Sequence, residues 1–151
     1  MNKITPFLWF NDNAEDAANF YFSVFPESKK LNELRTTEAG PGPAGSLLTI
    51  ELELNGQQMI FLNGGPGHKL SEAFSFAVYC DTQEEIDRYW SLLTDGGKEI
   101  ACGWLTDKFG VSWQIVPSGF AEWLHSPAAM RAMMKMVKLD IATLKQAAAE
   151  S

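Results

Sequence analysis

A chain of 151 residues is about one domain's length, and folding at this length hides roughly two-thirds of the unfolded surface. With 46% hydrophobic and 21% charged residues, its composition excludes the disordered and fibrous classes. A formal net charge of −7, without clustered Lys and Arg, argues against nucleic acid as a partner.

Targeting signals are the next feature that the sequence lets us assess. The N-terminal segment has no apolar stretch of the signal-peptide kind, and no run approaches the roughly 20 apolar residues of a membrane span. Two cysteines, Cys80 and Cys102, are too few for a disulfide framework. We therefore expect a cytoplasmic protein with reduced thiols and no membrane partner.

The first half of the chain alternates strand and helix patterns. Asp12 or Asn13 is placed to cap the predicted helix, and Pro26 ends it. Asn55-Gly56 is a strong hairpin signal between two strands. The predicted elements are a strand over 3–10, a helix over 14–25, and strands over 30–37, 46–54 and 57–63.

The second half repeats this order. Thr82 and Glu85 have capping-box spacing at the start of a helix that stops at Gly96-Gly97. Ser126-Pro127 and Asp140 are expected to start two helices in the tail. The predicted strands lie over 73–80 and near 99–105 and 111–116.

A short internal repeat relates the two halves. Residues 21–25 (Tyr-Phe-Ser-Val-Phe) match residues 89–93 (Tyr-Trp-Ser-Leu-Leu), each at the end of a predicted helix that follows a strand. One helix beside a few strands leaves one face of the sheet bare. Two such units are therefore expected to pair and to curve around a cleft.

Four segments of the sequence form recognisable motifs: Ile4–Phe10 followed by Phe20-Tyr21, Leu62–Pro66, Cys102–Pro117 and Met136–Ile141. They resemble motifs of PhnB-like proteins in the vicinal oxygen chelate superfamily, in a branch often labelled 3-demethylubiquinone-9 3-methyltransferase. The resemblance implies an α+β fold of two βαβββ modules in a curved mixed sheet, and a homodimer. It places module 1 at about 1–66, module 2 at about 72–117 and a helical tail at about 118–151, all in one domain.

The resemblance also locates the positions that hold a metal ion in other members of the superfamily. They correspond to Pro6, about Ile60, Ser75 and Gln114. Pro6 and Ile60 cannot ligate a cation, whereas divalent metals need several nitrogen, carboxylate or thiolate donors. His68 and His125 lie outside the predicted strands. We therefore predict no metal and no cofactor.

Strand alternation then predicts what lines the cleft. If Gln114 faces inward, an apolar wall with a few polar groups results, which is typical of a small-molecule pocket. Trp104, near the rim, is a candidate for stacking on a ligand, while Trp9, Trp90 and Trp113 are expected in the core. The predicted ligand-binding residues are Leu8, Phe10, Thr49, Glu51, Ile60, Ser75, Tyr79, Trp104 and Gln114.

Three functions are compatible with these residues. The favoured hypothesis is metal-independent binding of a small apolar or aromatic molecule. The second is an enzyme of the lyase, isomerase or transferase type that uses Glu51 or Tyr79 as acid or base. The third is a dimeric interaction module with a vestigial cleft. Glu51 is equally compatible with a solvated position, and Cys80 and Cys102 with packing in the core.

Overall fold

The computed structural model of the chain describes residues 2–150, which belong to two compact units, Met1–Leu70 and Ser71–Ser151. The elements of the first unit are β1 Phe7–Phe10, α1 Ala14–Val24, β2 Ser28–Arg35, β3 Leu47–Leu54 and β4 Gln57–Asn63. Its four strands form a sheet of order β1-β4-β3-β2, in which β1 and β4 are parallel and the other pairs antiparallel.

Helix α1 covers one face of this sheet with small residues and one aromatic ring. Ala14, Ala17 and Ala18 are fully buried, which lets the helix backbone approach the strands closely. Tyr21 packs edge-on against Phe61 of β4, with ring centroids 5.7 Å apart. The predicted hairpin at Asn55-Gly56 is confirmed, since both residues have the positive φ that such a turn requires.

The N-terminal cap of α1 differs from the local cap predicted by the sequence. Asn13 occupies the cap position but makes no side-chain capping hydrogen bond. Instead Oδ1 of Asn63, at the end of β4, accepts from the backbone N–H of Ala14 at 2.9 Å, and its Nδ2 donates to the carbonyl of Leu47. The cap is therefore tertiary and joins the helix to two strands.

The second unit repeats the arrangement and adds a helical tail. The elements are β5 Ser75–Cys80, α2 Gln83–Thr94, β6 Lys98–Glu99, β7 Trp104–Thr106, β8 Ser112–Pro117, α3 Phe120–Trp123, α4 Pro127–Met134 and α5 Ile141–Ala149. The sheet has the order β5-β8-β7-β6, again with the first pair parallel. The predicted start of α2 is confirmed, because Thr82 Oγ1 accepts from Glu85 N.

The single strand predicted near 99–105 is wrong, because a tight turn divides it into β6 and β7. Cys102 and Gly103 both have positive φ, and Trp104 N donates to the carbonyl of Ala101. The turn is held from outside the sheet: Cys102 N and Gly103 N donate to the carbonyls of Met136 and Val137. Partners far along the chain thus decide this backbone conformation.

Buried Asp107 organises the β7–β8 connection. Its Oδ1 accepts from the backbone N–H groups of Phe109 and Val111, and its Oδ2 accepts from Trp113 Nε1 at 2.8 Å. One side chain therefore satisfies three donors, as a polar group that is only 3% exposed requires. This network gives Asp107 and Trp113 a structural role in the 107–113 segment, since their hydrogen bonds hold the turn between β7 and β8.

The tail helices begin where the sequence predicts. Ser126 Oγ accepts from Ala129 N at the start of α4, and Asp140 Oδ1 accepts from Thr143 N at the start of α5. Over residues 2–150, no helix has the length and apolar character needed to cross a membrane. The α+β class and the repeated βαβββ order are confirmed.

Candidate functional site

On the face of the first sheet that lies opposite α1, the side chains contributed by β1 are not the ones that the sequence predicts. The β1–β4 ladder pairs Phe7 with Ile60 and Leu8 with Phe61. Leu8 and Phe10 therefore point toward α1, where both are buried, and the prediction that they face the cleft is wrong. Phe7–Phe10 is apolar on both sides, so no polar residue within the strand marks which side faces outward.

The open face of the first sheet carries Phe7 and Trp9 from β1 in their place. Thr49 and Glu51 share this face, because they pair with Leu62 and Ile60 respectively. Trp9 is half-buried and donates from Nε1 to the carbonyl of Gly65 at 2.9 Å. The expectation that Trp9 is a core residue is therefore corrected.

The face of the second sheet opposite α2 carries a compact set of residues. The register pairs Ala77 and Trp104 with Gln114, and Ser75 with Ser112. Alternate residues, among them Trp113 and Ile115, are buried on the α2 side. The side chains on the face opposite α2 are Ser75, Ala77, Tyr79, Trp104, Thr106, Ser112, Gln114 and Val116.

Ser75 and Gln114 form a hydrogen-bonded pair at the centre of this face. Gln114 Nε2 donates to Ser75 Oγ at 3.0 Å. This bond uses one amide N–H and one lone pair of the hydroxyl, so it leaves the amide oxygen and the hydroxyl proton for other partners. The pair orients the amide on a half-buried surface, next to the indole of Trp104 on the neighbouring strand.

The residues at the superfamily's metal positions do not fit a divalent cation. Pro6 and Ile60 have no donor atom in their side chains, the neutral hydroxyl of Ser75 is a poor ligand, and Gln114 offers one neutral amide oxygen. Among residues 2–150, no group of three or more His, Cys, Asp or Glu side chains is arranged to hold a metal ion. His68 lies in the connection after β4, with its ring edge-on to Trp9.

The candidate acid–base residues fall in different units. Glu51 lies on β3, half-buried, and Tyr79 lies on β5 with 64% of its surface exposed. The roles suggested for them in catalysis stay predictions. Cys80 is fully buried, and its burial, followed by the charges of Glu85 and Asp81, raises the pKa of the thiol to about 12. A thiol with this pKa is a poor nucleophile at neutral pH.

A pocket of about 530 Å³ in the first unit was missed by the sequence reasoning. It lies where β1 and β4 end, with the start of α1 on one side and the Gly/Pro loop over residues 41–43 on the other. The Arg35 side chain forms part of the pocket wall: Nη1 donates to the carbonyl of Gly45, and Nη2 lies 3.8 Å from Glu15 Oε2. Arg35 also donates a hydrogen bond to Glu33, and the hydrogen bonds from Lys30 and then Arg35 lower the pKa of that carboxyl group. The only feature of the sequence that pointed to this pocket was the Gly/Pro loop.

Comparison with known proteins gives the chain a family. Residues 2–116 match the family model described as 3-demethylubiquinone-9 3-methyltransferase. A PhnB protein from Bacillus cereus is 36% identical with a TM-score of 0.70, and the match covers 77% of this chain and 99% of that one. The match to the family model leaves out Met136–Ile141, one of the segments on which the resemblance was based.

More distant structures share the fold. A protein from Pseudomonas aeruginosa is 21% identical with a TM-score of 0.64, over 78% of this chain and 98% of that one. The fosfomycin resistance protein FosX from Listeria monocytogenes is 15% identical with a TM-score of 0.58, over 82% and 96% of the two chains. No curated protein sequence matches the chain. The family match and the PhnB structure together establish that the chain belongs to the 3-demethylubiquinone-9 3-methyltransferase family of PhnB-like proteins.

Proposed function

We propose that this protein binds a small, neutral aromatic molecule, without a metal, on the open face of the second sheet. The Ser75–Gln114 pair beside Trp104 is the observation that carries the proposal. A few placed polar groups on an otherwise apolar surface are the usual composition of a ligand site. The predictions for Thr49, Glu51 and Ile60 concern the open face of the first sheet and stay predictions.

The apolar part of the site consists of an aromatic ring on one side of Gln114 and a gap on the other. Trp104 and Ala77 flank Gln114 on either side in the register. The methyl group of Ala77 leaves room above the strand, and the half-buried indole of Trp104 offers a stacking surface. A planar ligand that extends from Ala77 across Gln114 would contact the ring, and such aromatic contacts contribute about 0.5–1.5 kcal/mol beyond burial.

The polar part of the site favours a ligand with a donor and an acceptor close together. Gln114 Oε1 would accept from an N–H or O–H group of the ligand, and Ser75 Oγ–H would donate to it. Neither group carries a charge, so the pair does not compensate the desolvation of an anion. A neutral amine, phenol or amide is the ligand chemistry that fits.

Methyl transfer, which the family description suggests, is not supported by the glycine cluster at 64–67. A cofactor-binding turn of that kind joins a strand directly to a helix. Here β4 ends at Asn63, and the chain continues to β5 without a helix. Gly64 lies against the ring of Trp9 instead.

We propose that binding takes place in the cytoplasm. The two cysteines are free thiols, which supports this location.

Titration with N-phenylnaphthylamine, a neutral fluorescent aromatic amine, tests the proposed function. We expect saturable binding by the wild type, with a loss in affinity of about three- to tenfold for Trp104→Ala and about fivefold for Gln114→Ala. Phe74→Ala is the matched control for the aromatic change, because Phe74 is exposed and packs on Phe76 on the α2 side. Gln57→Ala, in the β3–β4 hairpin, controls for the loss of an amide.

Two outcomes would contradict the proposal. One is an absence of saturable binding; the other is the same affinity for Trp104→Ala and Phe74→Ala. The independence from metal is tested separately, by metal analysis of the purified protein and by repeating the titration after dialysis against a chelator. A stoichiometric transition metal, or loss of binding on chelation, would refute the conclusion that the side chains of Pro6, Ile60, Ser75 and Gln114 do not hold a metal ion.

A further inference from the structure

The C-terminal arm, defined as residues 118–150, lies outside the part of the chain that matches the family. The family model ends at residue 116. The PhnB protein from Bacillus cereus is covered over 99% of its length by only 77% of this chain. The arm, with helices α3, α4 and α5, is therefore an addition to the module that those proteins share.

The arm is attached to the second unit by specific polar contacts. Gln83, the first residue of α2, holds it with both ends of its amide: Nε2 donates to the carbonyl of Leu139, and Oε1 accepts from Ile141 N at 2.8 Å. Lys138 Nζ lies 2.8 Å from Asp87 Oδ1, and hydrogen bonds from Lys138 and then Gln83 lower the pKa of Asp87. These contacts fix the segment between α4 and α5.

The same arm packs on the sheet face that we propose binds the ligand. Val116 follows Gln114 by two residues, and therefore lies on the same face of β8. It is buried in a cluster with Leu139 and Leu144 of the arm. Met133 of α4 is partly buried and packs against this cluster. The arm thus covers Val116, the neighbour of Gln114 on this face.

We infer that the arm is a specificity element that limits the length of the bound molecule, and that Met133 forms the limiting contact. The inference rests on the proposed function, because it assumes a ligand on the face that carries Gln114. A flat molecule that fits over Ala77 and Trp104 is accepted, whereas a molecule that extends past Gln114 meets the arm at Val116. Family members that lack such an arm would accept longer ligands on this face.

Paired titrations of the full chain with a short and a long probe test this inference. The short probe is N-phenylnaphthylamine, and the long probe is N-octylnaphthylamine, which keeps the amine donor and adds a flexible alkyl chain. We expect Met133→Ala to raise the affinity for the long probe about fivefold, since the space released accommodates one or two methylene groups. The affinity for the short probe should stay within about twofold of the wild type.

Met134→Ala is the matched control, because Met134 is the next residue of α4 and is 64% exposed. It should change neither affinity. Met133→Val removes less volume and should give a smaller gain for the long probe, which keeps the test open if Met133→Ala folds poorly. Equal changes for both probes in the Met133 variants, or the same gain in Met134→Ala, would overturn the role of the arm alone. Failure of the wild type and all variants to bind either probe would overturn the proposed function and the role of the arm together.

Discussion

Gly64 shows how a single residue is selected by its neighbour rather than by its backbone angle. A Cβ added to Gly64 would lie 2.5 Å from Cζ2 of Trp9, a separation that side chains do not adopt. Trp9 cannot move away freely, because its Nε1 donates to the carbonyl of Gly65 and its ring meets His68 edge-on. The glycine therefore allows the connection after β4 to close over the indole.

We expect Gly64→Ala to lower the free energy of unfolding by about 1–3 kcal/mol, because the added methyl group forces the ring or the loop to shift. Urea denaturation followed by tryptophan fluorescence measures the change. Gly67→Ala is the control: a Cβ at Gly67 meets no atom within 4 Å, so its stability should be close to that of the wild type. Equal stabilities for the two variants would show that Trp9 does not require a glycine at 64.

At the scale of elements, the start of α1 depends on a strand that follows it by many residues. The Asn63 amide accepts from Ala14 N and donates to the carbonyl of Leu47, so one side chain joins β4, α1 and β3. The helix has Glu15 and Asp16 in its first turn, which favours its dipole, but its own cap residue Asn13 does not supply the capping bond.

Asn63→Ala should lower the free energy of unfolding by about 1–2 kcal/mol, the usual range for the loss of a capping side chain. Asn13→Ala should have a much smaller effect, because the Asn13 side chain makes no capping bond. Thermal unfolding compares the variants, and amide exchange in the first turn of α1 identifies where the Asn63 variant loosens. A larger loss for Asn13→Ala than for Asn63→Ala would restore the local cap that the sequence suggested.

For the whole molecule, the two units have the same order of strands, with one helix after the first strand of each unit and three further helices in the tail of the second, as the resemblance implies for the two modules. The resemblance implies a homodimer, and several large apolar side chains that would suit an interface are exposed, among them Ile4, Phe7 and Leu34.

We expect size-exclusion chromatography with light scattering to give twice the chain mass of 16.8 kDa. A dilution series at fixed salt distinguishes a stable dimer from weak self-association, because only the latter dissociates over the accessible concentrations. A mass of one chain at every concentration would contradict the dimer.

Much of the fold and part of the candidate site followed from local pattern. The alternation from Ser112 to Val116 correctly separates Gln114 from Trp113 and Ile115, because polar and apolar residues differ in their preference for the two faces. The capping residues Thr82, Ser126 and Asp140 were equally readable, because each bonds to a backbone N–H three residues away.

Other features were decided only when distant parts of the chain met. The prediction for Leu8 and Phe10 is wrong, because a strand that is apolar on both sides carries no local sign of its orientation. The pairing with β4 determines which of its side chains face α1. The turn at Cys102-Gly103 is held by Met136 and Val137, and the α1 cap comes from Asn63. The sequence by itself determined the kinds of elements and their order, since these depend on near neighbours. The tertiary structure decided which faces stay open and which side chains meet there, since hydrogen bonds and packing between distant segments have no local signature.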